Sequence, residues 1–390
     1  MDKVSFVRTN FNQNEDDLEK FFRQKYFLDD LAKKYFGYLD YEYIISFTQK
    51  EYNNLFSIIG QVNKIFLKTY SFYFENLDKN LTDFYPFLGY FRKKFPLKDQ
   101  LIGRYDILID KTGEYKFIET NANTPGLITD LYHVSNLLKP DGYINQSTER
   151  FSAYVKQFFG KYKDKNIGIL LPHSFEDEDF LVCKDYKDIL KDIIPEENLI
   201  IGDIFESNIV QDEYFYLKGQ KIDVILSFFP LEFFLSDMDF ATSFFSVIYS
   251  GGCILHNPIE SIALQDKLIF AVLYENFNKF DKIEQEIIKR HIPFTTRVFQ
   301  EDTNSFLAKA RFGRIAREVF DSNFYTNIYD KEEYVFQEKV ISKTFNEDGN
   351  FIVLGAYTNY KKPICLIGRR GFDLITKDDK TKITTVYIKK

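Results

Sequence analysis

Gly103-Arg104-Tyr105-Asp106-Ile107-Leu108-Ile109, then a Lys111-Thr112-Gly113-Glu114 turn, then Tyr115-Lys116-Phe117-Ile118-Glu119, is the stretch that decides the fold. Two runs rich in β-branched and aromatic residues around a short Gly-containing turn predict a β-hairpin. Residues two apart on a strand share a face. Arg104 and Asp106 therefore point one way, and Glu119 and Asn121 share a face where the second strand ends. Paired through the Gly113 turn, the four polar groups converge, while Tyr105, Ile107 and Ile118 alternate onto an opposite, packed face. Two carboxylates and an amide oxygen are hard ligands suited to Mg²⁺, which keeps waters and completes its shell with substrate phosphates. Arg104 beside them suits a phosphate or a developing oxyanion. The same pattern also fits a cross-strand ion pair on a solvated face. Asn121-Ala122-Asn123-Thr124-Pro125-Gly126 reads as a ligand-approaching loop, with Thr129 or Asp130 as the cap of the next helix.

Working outward, Phe306-Leu307-Ala308-Lys309 is a short strand delivering a lysine into Arg311-Phe312-Gly313-Arg314-Ile315-Ala316-Arg317. ATP phosphates need such a point charge, and backbone N–H groups from a flexible cover. Lys267 lies near the start of a helix expected over 260–292, with Ser261 as its cap. Taken alone, it reads as a solvated lysine. Tyr334 to Val340 is an apolar strand ending in polar groups, either an adenine-binding hinge or a plain edge strand. Gly368-Arg369-Arg370-Gly371 reads as an anion-facing turn or an ordinary basic one.

The remaining chain sets the frame. Its 390 residues suggest two or three domains. Residues 1–100 read as mainly helical, with an amphipathic stripe from Lys50 to Tyr73. Runs at 166–171, 199–201 and 224–229, alternating with helical segments, predict parallel strands with crossover helices. A net charge of -7 gives no basic face for nucleic acid. No apolar run reaches membrane-spanning length and the N-terminus carries no secretory h-region, so a cytoplasmic protein without membrane association is expected. Cys183, Cys253 and Cys365 are too dispersed for a zinc site or a disulfide framework. His133, His173, His256 and His291 sit in no HExxH or triad-like context and are expected to be structural. GxSxG and GxGxxG motifs are missing, which disfavours a serine hydrolase and a dinucleotide enzyme.

In combination these residues resemble the glutathionylspermidine synthase family in its synthetase-only form. The resemblance rests on Gly-Arg-Tyr-Asp (103–106), Phe-Ile-Glu-Thr-Asn-Ala-Asn-Thr-Pro (117–125), Gln-Asp-Lys (265–267), Leu-Ala-Lys-Ala-Arg-Phe-Gly-Arg (307–314), Val-Phe-Gln-Glu (335–338) and Ile-Gly-Arg-Arg-Gly-Phe-Asp-Leu-Ile-Thr (367–376), in that order. It implies a mixed α/β, circularly permuted ATP-grasp fold. The expected parts are a helical region over 1–100, a metal- and acceptor-binding part over 101–160, an α/β pre-ATP-grasp-like domain over 161–258 and a nucleotide-binding part over 259–390. It implies ATP-dependent ligation of a carboxylate to an amine through an acyl phosphate, with glutathione and spermidine as the default pair. Another peptide or amino acid with another amine is the first alternative, and a degenerate nucleotide-binding protein without turnover the second. By resemblance, Asp106, Glu119 and Asn121 bind Mg²⁺, and Arg104 stabilises the acyl phosphate and the tetrahedral oxyanion. Lys267, Lys309 and Gly313 serve the ATP phosphates, Gln337 and Glu338 border the adenine, and Arg369 faces the γ-phosphate. The chain departs from the family at Gly313-Arg314-Ile315-Ala316, where Gly-Arg-Glu-Gly is usual, and at Ala310, where proline is usual.

Overall fold

The computed structural model describes residues 4–8, 20, 38–92, 100–171, 178–210, 213–298, 305–313, 319–321, 334–345, 349–371 and 381–390. At its centre lies a five-stranded antiparallel sheet, ordered Thr381–Thr384, Pro363–Gly371, Phe351–Thr358, Gly103–Ile109 and Tyr115–Asn121. The last two strands are the expected hairpin. Its turn is closed by Gly113 N–H donating to Asp110 O at 2.8 Å, with Gly113 at φ +85°, a conformation that favours glycine.

One face of this sheet is apolar. The helix Gln49–Glu75 covers it, capped by Thr48, whose hydroxyl accepts from Glu51 N–H. Tyr52, Leu55, Ile59, Val62 and Phe66 recur every three or four residues along the buried stripe. The Phe66 ring lies 5.4 Å from Tyr105 on the sheet and 5.1 Å from Phe270 on the neighbouring helix Leu268–Glu275. That packing commits Tyr105 to the core and turns Arg104 and Asp106 to the other face.

A second sheet is wholly parallel, ordered Ile254–His256, Val224–Ser227, Ile167–Leu171 and Leu199–Asp203. Leu170 and Ile225 belong to one hydrophobic cluster with Phe244 and Phe245 of the helix Met238–Ser250. Ile169 and Leu171 pack with Phe151 and Val155 of the helix Ser147–Phe159 and with Val182 of the helix Glu178–Leu190. Both faces are therefore covered, as unbroken apolar runs require. This is the α/β alternation expected from residues 165–256.

Several local details differ from or add to the expectations. Within the first hundred residues Val4–Arg8 and Tyr43–Phe47 are strands, the second pairing in parallel with Val386–Lys389 near the C-terminus. No local signal announces such a pairing, because the partner lies more than 300 residues away. Residues 260–292 do not form one helix. A short helix, Ile262–Gln265, ends at Asp266, which is extended (φ -68°, ψ 119°), and Leu268–Glu275 then restarts; Ser261 donates instead to the Asn123 side chain. Neither Thr129 nor Asp130 makes a side-chain cap; Asp130–Val134 is a π-helical turn.

Candidate active site

The hairpin register brings the four polar residues together. Arg104 lies opposite Asn121 and Asp106 opposite Glu119. Directly opposed residues in an antiparallel pair share a face, so all four point the same way. Between Asp106 and Ile107 the register shifts, pairing Ile107 with Phe117. The bulge adds one residue and reverses the alternation beyond it. Phe117 thereby joins the apolar face, its ring 5.2 Å from Tyr105, and Ile118 moves to the other side, against Leu108, Phe351 and Val353. The expectation that Ile118 shares the Tyr105 face is thus corrected, and sequence periodicity alone carries no sign of a bulge.

Arg104 and Asp106 form a buried pair, 8% and 6% exposed. Arg104 Nε donates to Asp106 Oδ1 at 2.8 Å and Nη2 to Oδ2 at 3.3 Å, while Nη1 donates to the Gly126 carbonyl at 3.2 Å. Tyr357 also donates to the Gly126 carbonyl. Gly355 makes room for this arginine: a Cβ there would sit 2.9 Å from Arg104 Cδ and 2.8 Å from Ile367 Cγ2. Arg369 Nη2 donates to Asp106 Oδ2 at 2.6 Å. Burial alone would raise the Asp106 pKa; Arg104 and Arg369 outweigh it and lower it to about 2. The segment 368–371 is strand rather than turn, so its arginines diverge: Arg369 meets Asp106, and Arg370 meets Asp40 on the other side at 2.8 Å.

The lysines arrive from the other half of the chain onto the same face. Lys267 Nζ lies 3.1 Å from Glu119 Oε1 and donates to the Gly313 carbonyl at 2.5 Å. Lys309, on the strand Phe306–Ala310, donates to Gln337 Oε1 at 2.6 Å and to the Ile118 carbonyl at 3.1 Å. Burial lowers its pKa to about 8, with Glu119 pulling it up and Lys267 pressing it down. Gln337 passes the link on, its Nε2 donating to Thr295 Oγ1 at 3.2 Å. Glu338 is exposed, and its backbone N–H donates to Phe294 O. Gly313 contributes its carbonyl to Lys267, and the rest of the loop, from Arg314, lies outside the described residues.

Other residues hold this arrangement, though read from the sequence they carry no role of their own. Asp266 and Arg311 form a buried ion pair at 2.5 Å, beside Lys267 and two residues from Lys309. Tyr73 donates to Asp266 at 2.6 Å, and Lys267 N–H donates to Arg311 O at 3.0 Å. Gln265 Oε1 accepts from Ala122 N–H and Asn123 N–H at 2.9 and 3.3 Å. Asn257 accepts from Leu101 and Ile102 N–H and donates to the carbonyls of Ile102, Ala122 and Asn123. These amides fix the backbone that carries Asn121.

The family model described as glutathionylspermidine synthase preATP-grasp matches residues 19–388. The chain belongs to the glutathionylspermidine synthase family. Members of that family are ATP-dependent ligases. Among solved structures the chain is similar to an apo glutathione synthetase-like effector from Globodera pallida. The identity is 11%, the TM-score 0.60, and 96% of each chain is covered. That match extends the likeness in fold to nearly the whole chain. A putative gamma-glutamylcysteine synthetase from Methylobacillus flagellatus KT aligns over 79% of this chain and 86% of its own, with 12% identity and a TM-score of 0.43. No curated protein sequence matches. Among the described residues, no helix is long and apolar enough to cross a membrane.

Proposed function

We propose that the chain is an ATP-dependent carboxylate–amine ligase on a circularly permuted ATP-grasp frame, with the carboxylate-bearing hairpin preceding the nucleotide lysines. One observation carries this reading. Lys267 and Lys309, from 259–390, converge on the face where Arg104, Asp106, Glu119 and Asn121 lie together. The donor set fits Mg²⁺: two carboxylates and an amide oxygen, all hard oxygen ligands, share one face. Asp106, Glu119 and Asn121 would hold the ion. When bound, it neutralises charge on the β- and γ-phosphate oxygens.

In this scheme Lys267 and Lys309 hold the triphosphate, with Arg369 toward its γ end and Gln337 and Glu338 near the base. A substrate carboxylate oxygen attacks the γ-phosphorus, the bond to the β-γ bridging oxygen breaks, and ADP leaves. The amine nitrogen then attacks the acyl carbon. Arg104 stabilises the oxyanion of the tetrahedral adduct, the C–O bond to phosphate breaks, and the amine proton departs as the amide forms. Glutathione and spermidine are the family-default substrates, and Mg²⁺ and ATP the cofactor and co-substrate. ADP release with Mg-ATP, glutathione and spermidine tests the reading, alongside pools of other peptides and amines. Amide product with matching ADP supports it; nucleotide binding without turnover on any pool would favour the degenerate alternative.

A further inference from the structure

Both carboxylates of the candidate metal face are already engaged. Asp106 takes Arg104 on both oxygens and Arg369 on Oδ2; Glu119 takes Lys267. Lys309 adds a fourth cation beside them. Among the described residues the cluster is therefore net positive, with four cationic side chains around two carboxylates, and much of it is shielded from solvent: Lys267, Lys309, Arg104 and Asp106 are each under 10% exposed. Charges in such a setting are weakly screened, so a bare divalent cation meets net repulsion. A nucleoside triphosphate still carries excess negative charge after binding one divalent cation, and it matches the cluster in sign.

We infer that this site takes its metal only together with nucleotide: the phosphates draw Lys267 off Glu119 and Arg369 off Asp106, and only then are carboxylate oxygens open to the ion. The inference rests on the ligase reading above and adds an order to it. The handover is short in reach, because Lys267 and Arg369 are both long side chains at the edge of the carboxylate pair. Arg369 retains 20% exposure and Glu119 23%, which leaves both pairs open to exchange. Arg104, anchored by Gly126 as well as Asp106, stays in place. The site thus excludes free divalent ions while unliganded, and the same cations that block the metal become the phosphate ligands.

The experiment uses the full-length chain and Mn²⁺ as probe, with free Mn²⁺ read by electron paramagnetic resonance, with and without a saturating non-hydrolysable ATP analogue. Wild type should bind Mn²⁺ alone at least roughly 100-fold more weakly than in the presence of the analogue, after correction for the metal–nucleotide complex in solution. Lys267→Met and Arg369→Gln should each bind Mn²⁺ alone about ten-fold more tightly than wild type, and the metal–nucleotide pair more weakly. Lys309→Met, which uncaps neither carboxylate, should gain less. Wild type binding Mn²⁺ equally well with and without nucleotide, or no gain in either uncapped variant, would overturn the inference while leaving the ligase reading intact. Failure of wild type to bind the analogue at all, with or without metal, would remove both. Should Lys267→Met fail to fold, Arg369→Gln, at a side chain only 20% exposed, alone decides.

Discussion

Lys309 Nζ lies 2.6 Å from Gln337 Oε1, so the buried lysine of the candidate nucleotide site rests on a neutral partner rather than a carboxylate. A neutral acceptor positions the ammonium without neutralising it, and burial then holds its pKa near 8. Only the protonated form attracts phosphate. In the free protein, raising the pH through about 8 removes that proton, so nucleotide affinity should fall. At pH 9 about one molecule in ten keeps the charge, and the Kd of a non-hydrolysable ATP analogue should be roughly ten-fold higher than at pH 7. Lys309→Arg keeps its charge across this range and should flatten the profile. Titration calorimetry at the two pH values checks it; a wild-type Kd that does not change would take Lys309 out of phosphate binding.

Arg104 is held by three of its nitrogens, two on Asp106 and one on the Gly126 carbonyl. A lysine ammonium cannot reproduce that planar fork. Arg104→Ala should lower kcat by roughly 10²–10³-fold, with a smaller change in the KM for ATP, and Arg104→Lys should recover little of it. Gly355→Ala places a methyl 2.9 Å from Arg104 Cδ and should displace the same side chain, with a milder loss of about ten-fold. Steady-state ADP release measures all three. An Arg104→Ala enzyme with near wild-type kcat and a lower Tm would make this arginine a structural ion-pair partner.

Much of this site was legible because it follows local rules. The 103–121 hairpin and its Gly113 turn need only strand alternation and turn chemistry; counted from that turn without a bulge, Glu119 would lie opposite Tyr105, so the shared face of Arg104, Asp106, Glu119 and Asn121 depends on the bulge as well. The parallel strands at 167–171, 199–203 and 224–227 announce themselves as apolar runs. What stayed hidden depends on long-range partners. The bulge that moves Ile118 toward Lys309 and Phe117 into the core leaves no periodic trace. The same is true of Asn257 gripping the 101–102 and 122–123 backbone, Arg369 reaching Asp106 across the sheet, and Asp266 meeting Arg311. The Gln-Asp-Lys run marked Lys267 by resemblance, yet its other two residues do as much to build the site: Gln265 holds the Asn121 loop, and Asp266 breaks the helix so that Lys267 can face Glu119.

Breaking the Asp266–Arg311 pair from one side should be costly, because it strands a buried charge. Asp266 is fully buried and Arg311 is 4% exposed, with Tyr73, the Asn80 carbonyl and the more exposed Asp83 also in the network. Asp266→Ala leaves a guanidinium buried without its main counter-charge, a change that costs about 3–5 kcal/mol. Arg311→Met should cost a similar amount, and the double variant less than the two losses added, because neither charge is then stranded. Urea unfolding of the four proteins gives the coupling. Strictly additive losses would mean that the two residues do not act as a pair.

Arg369 gives a prediction whose sign is set by Asp106. In the folded protein the Asp106 pKa is about 2, below its ordinary 3.8, because Arg104 and Arg369 overcome the opposing effect of burial. A carboxyl with a depressed folded pKa contributes stability in full above its unfolded value, and that contribution drains away as the pH falls toward the folded value. Arg369→Gln removes one of the two cations, so the Asp106 pKa should rise toward 3.8 and the variant should be less stable at pH 7 by on the order of 1 kcal/mol. That deficit should shrink between about pH 4 and pH 2, since Asp106 becomes protonated in both proteins and Arg369 no longer has an anion to meet. Arg370→Gln, whose partner is Asp40 on the other side of the strand, should leave the Asp106 titration unchanged. Paired urea curves for wild type and Arg369→Gln, taken from pH 7 down to pH 2, test this directly. A stability gap that stays constant over that range would mean that the 2.6 Å contact between Arg369 and Asp106 carries no net electrostatic stabilisation.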